Sequence, residues 1–211
     1  MEKELNKQES LQLITDMIAQ ARERFQNRSG DGIILWGYVV AILALANFVL
    51  LQVLEGEQVN YSYWVWMCTI PVFVVNYIRE AGKAKKAYVR NYIDSIIGYV
   101  WLAFFISNLI LIASVFILAI TFQDYHGGIL FRLITPMIMG MTGLCLFING
   151  KAYRFQPFVY GAILFWTGAL VSALIQVVWA YSLHFLVLAL CMIPGFILPG
   201  HILNRKARQD V

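Results

Sequence analysis

No Asp or Glu occurs in any of the six longest apolar stretches of this chain, and charged residues of both signs make up only 13% of its 211 residues. That shortage removes the buried ionisable groups on which proton- and sodium-coupled transporters generally rely. Cysteine is scarce too. Cys68, Cys145 and Cys191 all sit inside apolar stretches, where a free thiol acts as a small hydrophobe, so a disulfide framework is not expected. His184 and His201 lie near opposite ends of one stretch, too far apart to share a ligand, and neither a metal nor a cofactor is expected. The chain has no His-Glu-x-x-His, no Gly-x-Ser-x-Gly and no glycine-rich lysine loop, and no acid falls beside a histidine at a stretch end. These absences argue against an enzyme. The first 30 residues lack an apolar core of signal-peptide length, so no cleaved leader is expected.

What is plentiful is hydrocarbon. The chain is 60% hydrophobic with a mean hydropathy of +0.69, outside the range of soluble globular domains. A hydrocarbon core about 30 Å thick takes roughly 20 helical residues to cross, because no water is present to satisfy any other backbone. Six spans fit: Ile33 to Leu54, Ser62 to Ile78, Ile96 to Phe122, Ile129 to Asn149, Pro157 to Trp179 and Tyr181 to Leu203. The second is short, with Tyr61, Tyr63, Trp64 and Trp66 placed to sit in an interface and Arg79 to reach back from the other side. The last two abut, and a tight hairpin around Ala180 is expected rather than one re-entrant excursion. The fold class is therefore all-α, a polytopic bundle of three hairpins. Residues 1–32 form a cytoplasmic helix and linker, 33–203 the membrane domain and 204–211 a basic tail.

Orientation follows from the bases. Lys3, Lys7, Arg22, Arg24 and Arg28 precede the first span, and Arg79, Lys83, Lys85, Lys86 and Arg90 follow the second. Lys151 and Arg154 follow the fourth, and Arg205, Lys206 and Arg208 follow the last. The intervening connections hold Glu55, Glu57 and Asp124 but no base, which puts both termini in the cytoplasm. The net charge of +4 is thus topogenic, attracted to anionic lipid rather than to nucleic acid. Arg132 alone enters a span, three residues from its end, close enough to snorkel toward Asp124.

The hairpins echo one another. Gly37-Tyr38-Val39 leads to Asn47 at the spacing at which Gly98-Tyr99-Val100 leads to Asn108, and Gly161 precedes Gln176 as Gly37 precedes Gln52. Each second helix holds a proline, Pro71, Pro136 or Pro194, and any such repeat is parallel, not inverted. At 100° per residue, Gly37, Ala41, Ala44 and Gln52 share a stripe of the first span. Gly161, Gly168, Ser172 and Gln176 share one of the fifth. Small residues in such stripes let helices approach closely. Asn47 and Asn108 fall about 15 Å beyond their glycines, near half depth. Asn47, Asn108, Ser172 and Gln176 therefore read either as interhelical hydrogen-bonding contacts or as the lining of a polar cavity.

Residues Glu9 to Gln26 read as an amphipathic helix. Leu11, Ile14, Ile18, Ala21 and Phe25 recur at three and four residues, with Leu13 and Met17 widening the face, and Ser29-Gly30-Asp31-Gly32 breaks the chain after it. Its polar face mixes acids and bases, which suits a protein contact better than a lipid-sensing role. Leu11, Ile14, Ile18 and Phe25 are the candidate partner surface, for a cytoplasmic protein or a second copy of the chain. The stretch from Glu9 through Ile18, with Leu35-Trp36-Gly37 at the membrane entry, resembles small six-span bacterial integral membrane proteins of uncharacterised activity. The resemblance covers the first quarter of the chain and implies a multi-pass inner-membrane protein, with no binding or catalytic residue to carry over. The first functional reading is a non-enzymatic scaffold or regulatory protein acting through its N-terminal helix. The second is a passive facilitator or channel for a small solute.

Overall fold

The computed structural model describes residues 11–13, 15, 16, 19, 30–84, 92–121 and 127–209. Among them every regular element is helical: α1 (Asp31–Val53), a 3-10 segment (Gly56–Cys68) running into α2 (Thr69–Ala84), α3 (Tyr92–Thr121), α4 (Gly127–Ala152), α5 (Gln156–Val178) and α6 (Leu183–Met192). A π-helical turn (Ile193–Ile197) then joins α6 to α7 (Leu198–Gln209), so that these three make one continuous last helix. Among the described residues five helices are long and apolar enough to cross a bilayer: α1, α3, α4, α5 and the last one. The all-α polytopic bundle expected from the sequence is therefore present.

The expected second span differs in form. Its first half, from Ser62, winds as a 3-10 helix and only its second half is α. Proline accounts for the junction. Pro71 is the third residue of α2, within the first turn, where its missing N–H has no intrahelical partner to serve. Thr69 Oγ1 closes the junction by donating to the Trp66 carbonyl at 2.6 Å. The tighter winding rises about 2.0 Å per residue and so lengthens a segment that looked too short. Of the aromatic residues expected in the interface, Tyr61, Tyr63 and Trp64 are exposed along it, whereas Trp66 is half-buried against Phe185.

The abutting fifth and sixth spans do form a tight hairpin: α5 ends at Val178 and α6 begins at Leu183. The last helix becomes the centre of the bundle. Over half of its most apolar window is buried, 56% against 17% for α1 and for α3. Helix α1 packs along one side of it, α5 along another, α4 behind α5 and α3 against α4. Trp101 of α3 reaches Phe196, and Phe73 of α2 stacks edge-on with Phe105 at 5.3 Å, which draws α2 and α3 toward the same centre. Large apolar side chains such as Ile42, Leu109, Leu170 and Val177 point outward instead, the pattern of helices solvated by lipid.

Close approach is set by glycine at two places. A Cβ on Gly37 would come within 2.8 Å of Ile197, and one on Gly161 within 2.8 Å of the Gly195 Cα. The last helix is thus gripped between two glycine faces at its π turn. Pro194 explains that turn, because it has no N–H for the α ladder and its ring crowds the preceding turn. Leu198 N–H reaches back to the Ile193 carbonyl, the five-residue spacing of a π helix.

Candidate functional site

Gly37, Trp101 and Gly161 all meet the last helix between Gly195 and Ile197, which gives three neighbouring helices a common reference depth. Counting outward at 1.5 Å per residue, Asn108 lies about 10 Å further on, Asn47 about 15 Å, Ser172 about 16 Å and His184 of the last helix itself about 18 Å. The α1 pairing checks independently. Gln52 Nε2 donates to Ser182 Oγ at 2.6 Å, and the intervals Gly37 to Gln52 and Ser182 to Ile197 have the same length, so the two helices run antiparallel without slippage. Asn108, Asn47 and Ser172 therefore lie at broadly similar depths on three helices, and His184 lies beyond them toward the Tyr181 end of the bundle.

Three of them have atoms without a partner. Asn47 is fully buried, and neither its Oδ1 nor its Nδ2 makes a hydrogen bond. It continues the stripe of Gly37, Ala41 and Ala44, all buried, which faces the last helix. Ser172 is also fully buried with a free Oγ, one turn beyond Gly168, whose face meets Cys191 and Met139. Asn108 donates from Nδ2 to the Phe104 carbonyl of its own helix at 2.8 Å and leaves Oδ1 unmatched. Thr142 of α4 is the contrast: buried but satisfied, its hydroxyl bonded to the Ile138 carbonyl. A polar group denied a partner away from water costs about 1–3 kcal/mol. No hydrogen bond joins Asn47, Asn108 and Ser172 to one another.

Gln176 behaves differently from the other three. Its Nε2 donates to the Arg132 carbonyl of α4 at 3.2 Å and to the Ser172 carbonyl at 2.8 Å, tying α5 to α4 at one end of the bundle, while Oε1 stays unmatched. There it adjoins a polar and aromatic cluster that sequence reasoning did not assemble. Tyr63 OH donates to Tyr181 OH at 3.1 Å, and the Arg132 guanidinium lies 5.4 Å from the centre of the Tyr181 ring. His184, fully enclosed, stacks on Phe185 and donates from Nδ1 to the Tyr181 carbonyl. With the proton on Nδ1 in that bond, Nε2 is the acceptor nitrogen of the neutral ring. The only signal in the sequence was a histidine inside an apolar run beside a tyrosine. Asp124, the acid expected near Arg132, lies outside the described residues.

The opposite end is closed by a second clamp. Asn204 accepts from the Gly30 N–H at 2.6 Å and donates to Asp31 at 2.8 Å, binding the start of α1 to α7. Among the described residues no group of three or more His, Cys, Asp and Glu is placed to hold a metal. Of the expected partner surface, Leu11 is exposed, as is its neighbour Leu13, whereas Ile14, Ile18 and Phe25 lie outside the described residues. No family model, no curated protein and no solved structure matches this chain.

Proposed function

We propose that this membrane protein is a passive facilitator, which binds a small polar solute at half depth and lets it cross without coupling to an ion gradient. One observation carries the reading: Asn47, fully buried at half depth with both amide atoms unmatched, on a face that otherwise consists of small residues. In a helix contact such a side chain would bond across the interface, since that bond is its reason for being there. Ser172 and Asn108 repeat the pattern in the same layer. The absence of carboxylates from the spans favours passive over driven movement. Clamps at Gln52–Ser182 and Gly30–Asn204 hold α1 on the last helix, and passage requires the two to part.

The test is solute entry into proteoliposomes with Asn47→Leu and Ser172→Ala. Entry above that of empty vesicles, lost in both variants while they keep native helicity and elution, supports the reading; equal entry in variant and parent removes it.

A second reading, a scaffold that uses its N-terminal helix, is favoured by the exposure of Leu11 and Leu13. Deleting residues 1–28 then abolishes an oligomer or a co-purifying protein in mild detergent and leaves membrane insertion intact. Survival of every such assembly reduces the helix to a strut.

A further inference from the structure

We infer that the half-depth site recognises a small uncharged carboxamide or urea-type solute, with Asn47 as its principal ligand; this rests on the facilitator reading above. A primary amide presents one acceptor and one donor side by side, and its complement is another amide turned head to tail, joined by two parallel hydrogen bonds. Asn47 offers both atoms, and neither is committed elsewhere. Ions are poorly served there. No charged side chain lies in the layer, and Arg132 stands toward the end of the bundle with its guanidinium over Tyr181. A bare ion brought to that depth would meet only dipoles, at a desolvation cost that two amides and a hydroxyl do not offset.

A polyol has hydroxyls that match single acceptors but lacks the paired donor and acceptor of an amide edge. Water fits everywhere and selects for nothing.

The experiment is stopped-flow light scattering on proteoliposomes of the full chain under gradients of urea, acetamide, glycerol and potassium chloride. The expected result is rapid entry of urea and acetamide, slow entry of glycerol and salt, and a fall of roughly tenfold or more in amide entry for Asn47→Leu, the loss of about one net hydrogen bond. Ser172→Ala, a smaller change that keeps the helix contact, is expected to lower amide entry less. Thermal melts of both variants check folding. Asn47-dependent entry of glycerol, salt or water alone overturns the amide assignment and leaves the facilitator reading standing. Entry of nothing above empty vesicles ends the facilitator reading. The assignment is then judged by whether acetamide raises the melting temperature of the parent but not of Asn47→Leu, and no such difference overturns it as well.

Discussion

Gly98 and Gly161 are equivalent by sequence, each opening the apolar part of its span, yet their surroundings are opposite. A Cβ on Gly161 would lie 2.8 Å from the Gly195 Cα and 3.1 Å from the Pro194 carbonyl oxygen, whereas one on Gly98 would meet nothing within 4 Å. Both neighbours of Gly161 are backbone, so no side chain can swing aside. Carbon atoms in good contact stand about 3.5–4.0 Å apart, and α5 must retreat from the last helix by roughly 1 Å to admit a methyl group. A gap of that size forfeits a quarter to a half of each lost contact, and overpacking of this kind costs about 1–3 kcal/mol. Replacing glycine by alanine within a helix also gains up to about 1 kcal/mol, but that gain is common to both variants. The stability difference between Gly98→Ala and Gly161→Ala therefore isolates the packing term, about 1–3 kcal/mol with Gly161→Ala the weaker. Titration with sodium dodecyl sulfate in mixed micelles, followed by the fluorescence of the six tryptophans, measures it. Equal midpoints for the two variants would refute the helix contact, and with it the placement of Ser172 in the half-depth layer.

Asn204→Leu removes both bonds of the clamp at the start of α1 and is expected to destabilise the chain by about 1 kcal/mol and to speed exchange of the Gly30 amide, read by hydrogen exchange. Unchanged exchange would place the clamp elsewhere. Gln52→Leu, at the other end, loses a bond to Ser182 whose average worth in membrane helices is about 0.6 kcal/mol, so a small drop in the detergent midpoint is expected. A drop of several kcal/mol would mean that this contact does far more than latch two helices. Cys68 is exposed while Cys145 and Cys191 are buried, so intact-mass analysis after brief alkylation of the native protein in detergent should find a single adduct, at Cys68. Early modification of Cys191 would contradict the central position of the last helix.

The hydrophobic pattern by itself determined that the chain is an all-α polytopic bundle. A run of apolar residues in lipid has no alternative to the helix, so composition and length suffice. The stripe of Gly37, Ala41 and Ala44 and that of Gly161, Gly168 and Ser172 were legible for the same reason, because helical periodicity is local, and all six residues are buried. Gln52 ends the first stripe, and there it makes a hydrogen bond to Ser182 across the same helix contact. Which helix those stripes face was not legible. Every span is nearly uniformly apolar, so no amphipathic signal distinguishes a helix at the centre from one at the edge, and only tertiary packing chose the last helix for the centre. The same holds for the polar layer. Sequence spacing set Asn47 and Asn108 at like depths, but whether a buried amide finds a partner depends on neighbours from other helices. Asn47 and Ser172 find none, Gln176 finds the Arg132 carbonyl, and His184 turns to Tyr181. Hydrogen bonds form over about 3 Å, and residues scattered along the chain come within that reach only when the helices pack.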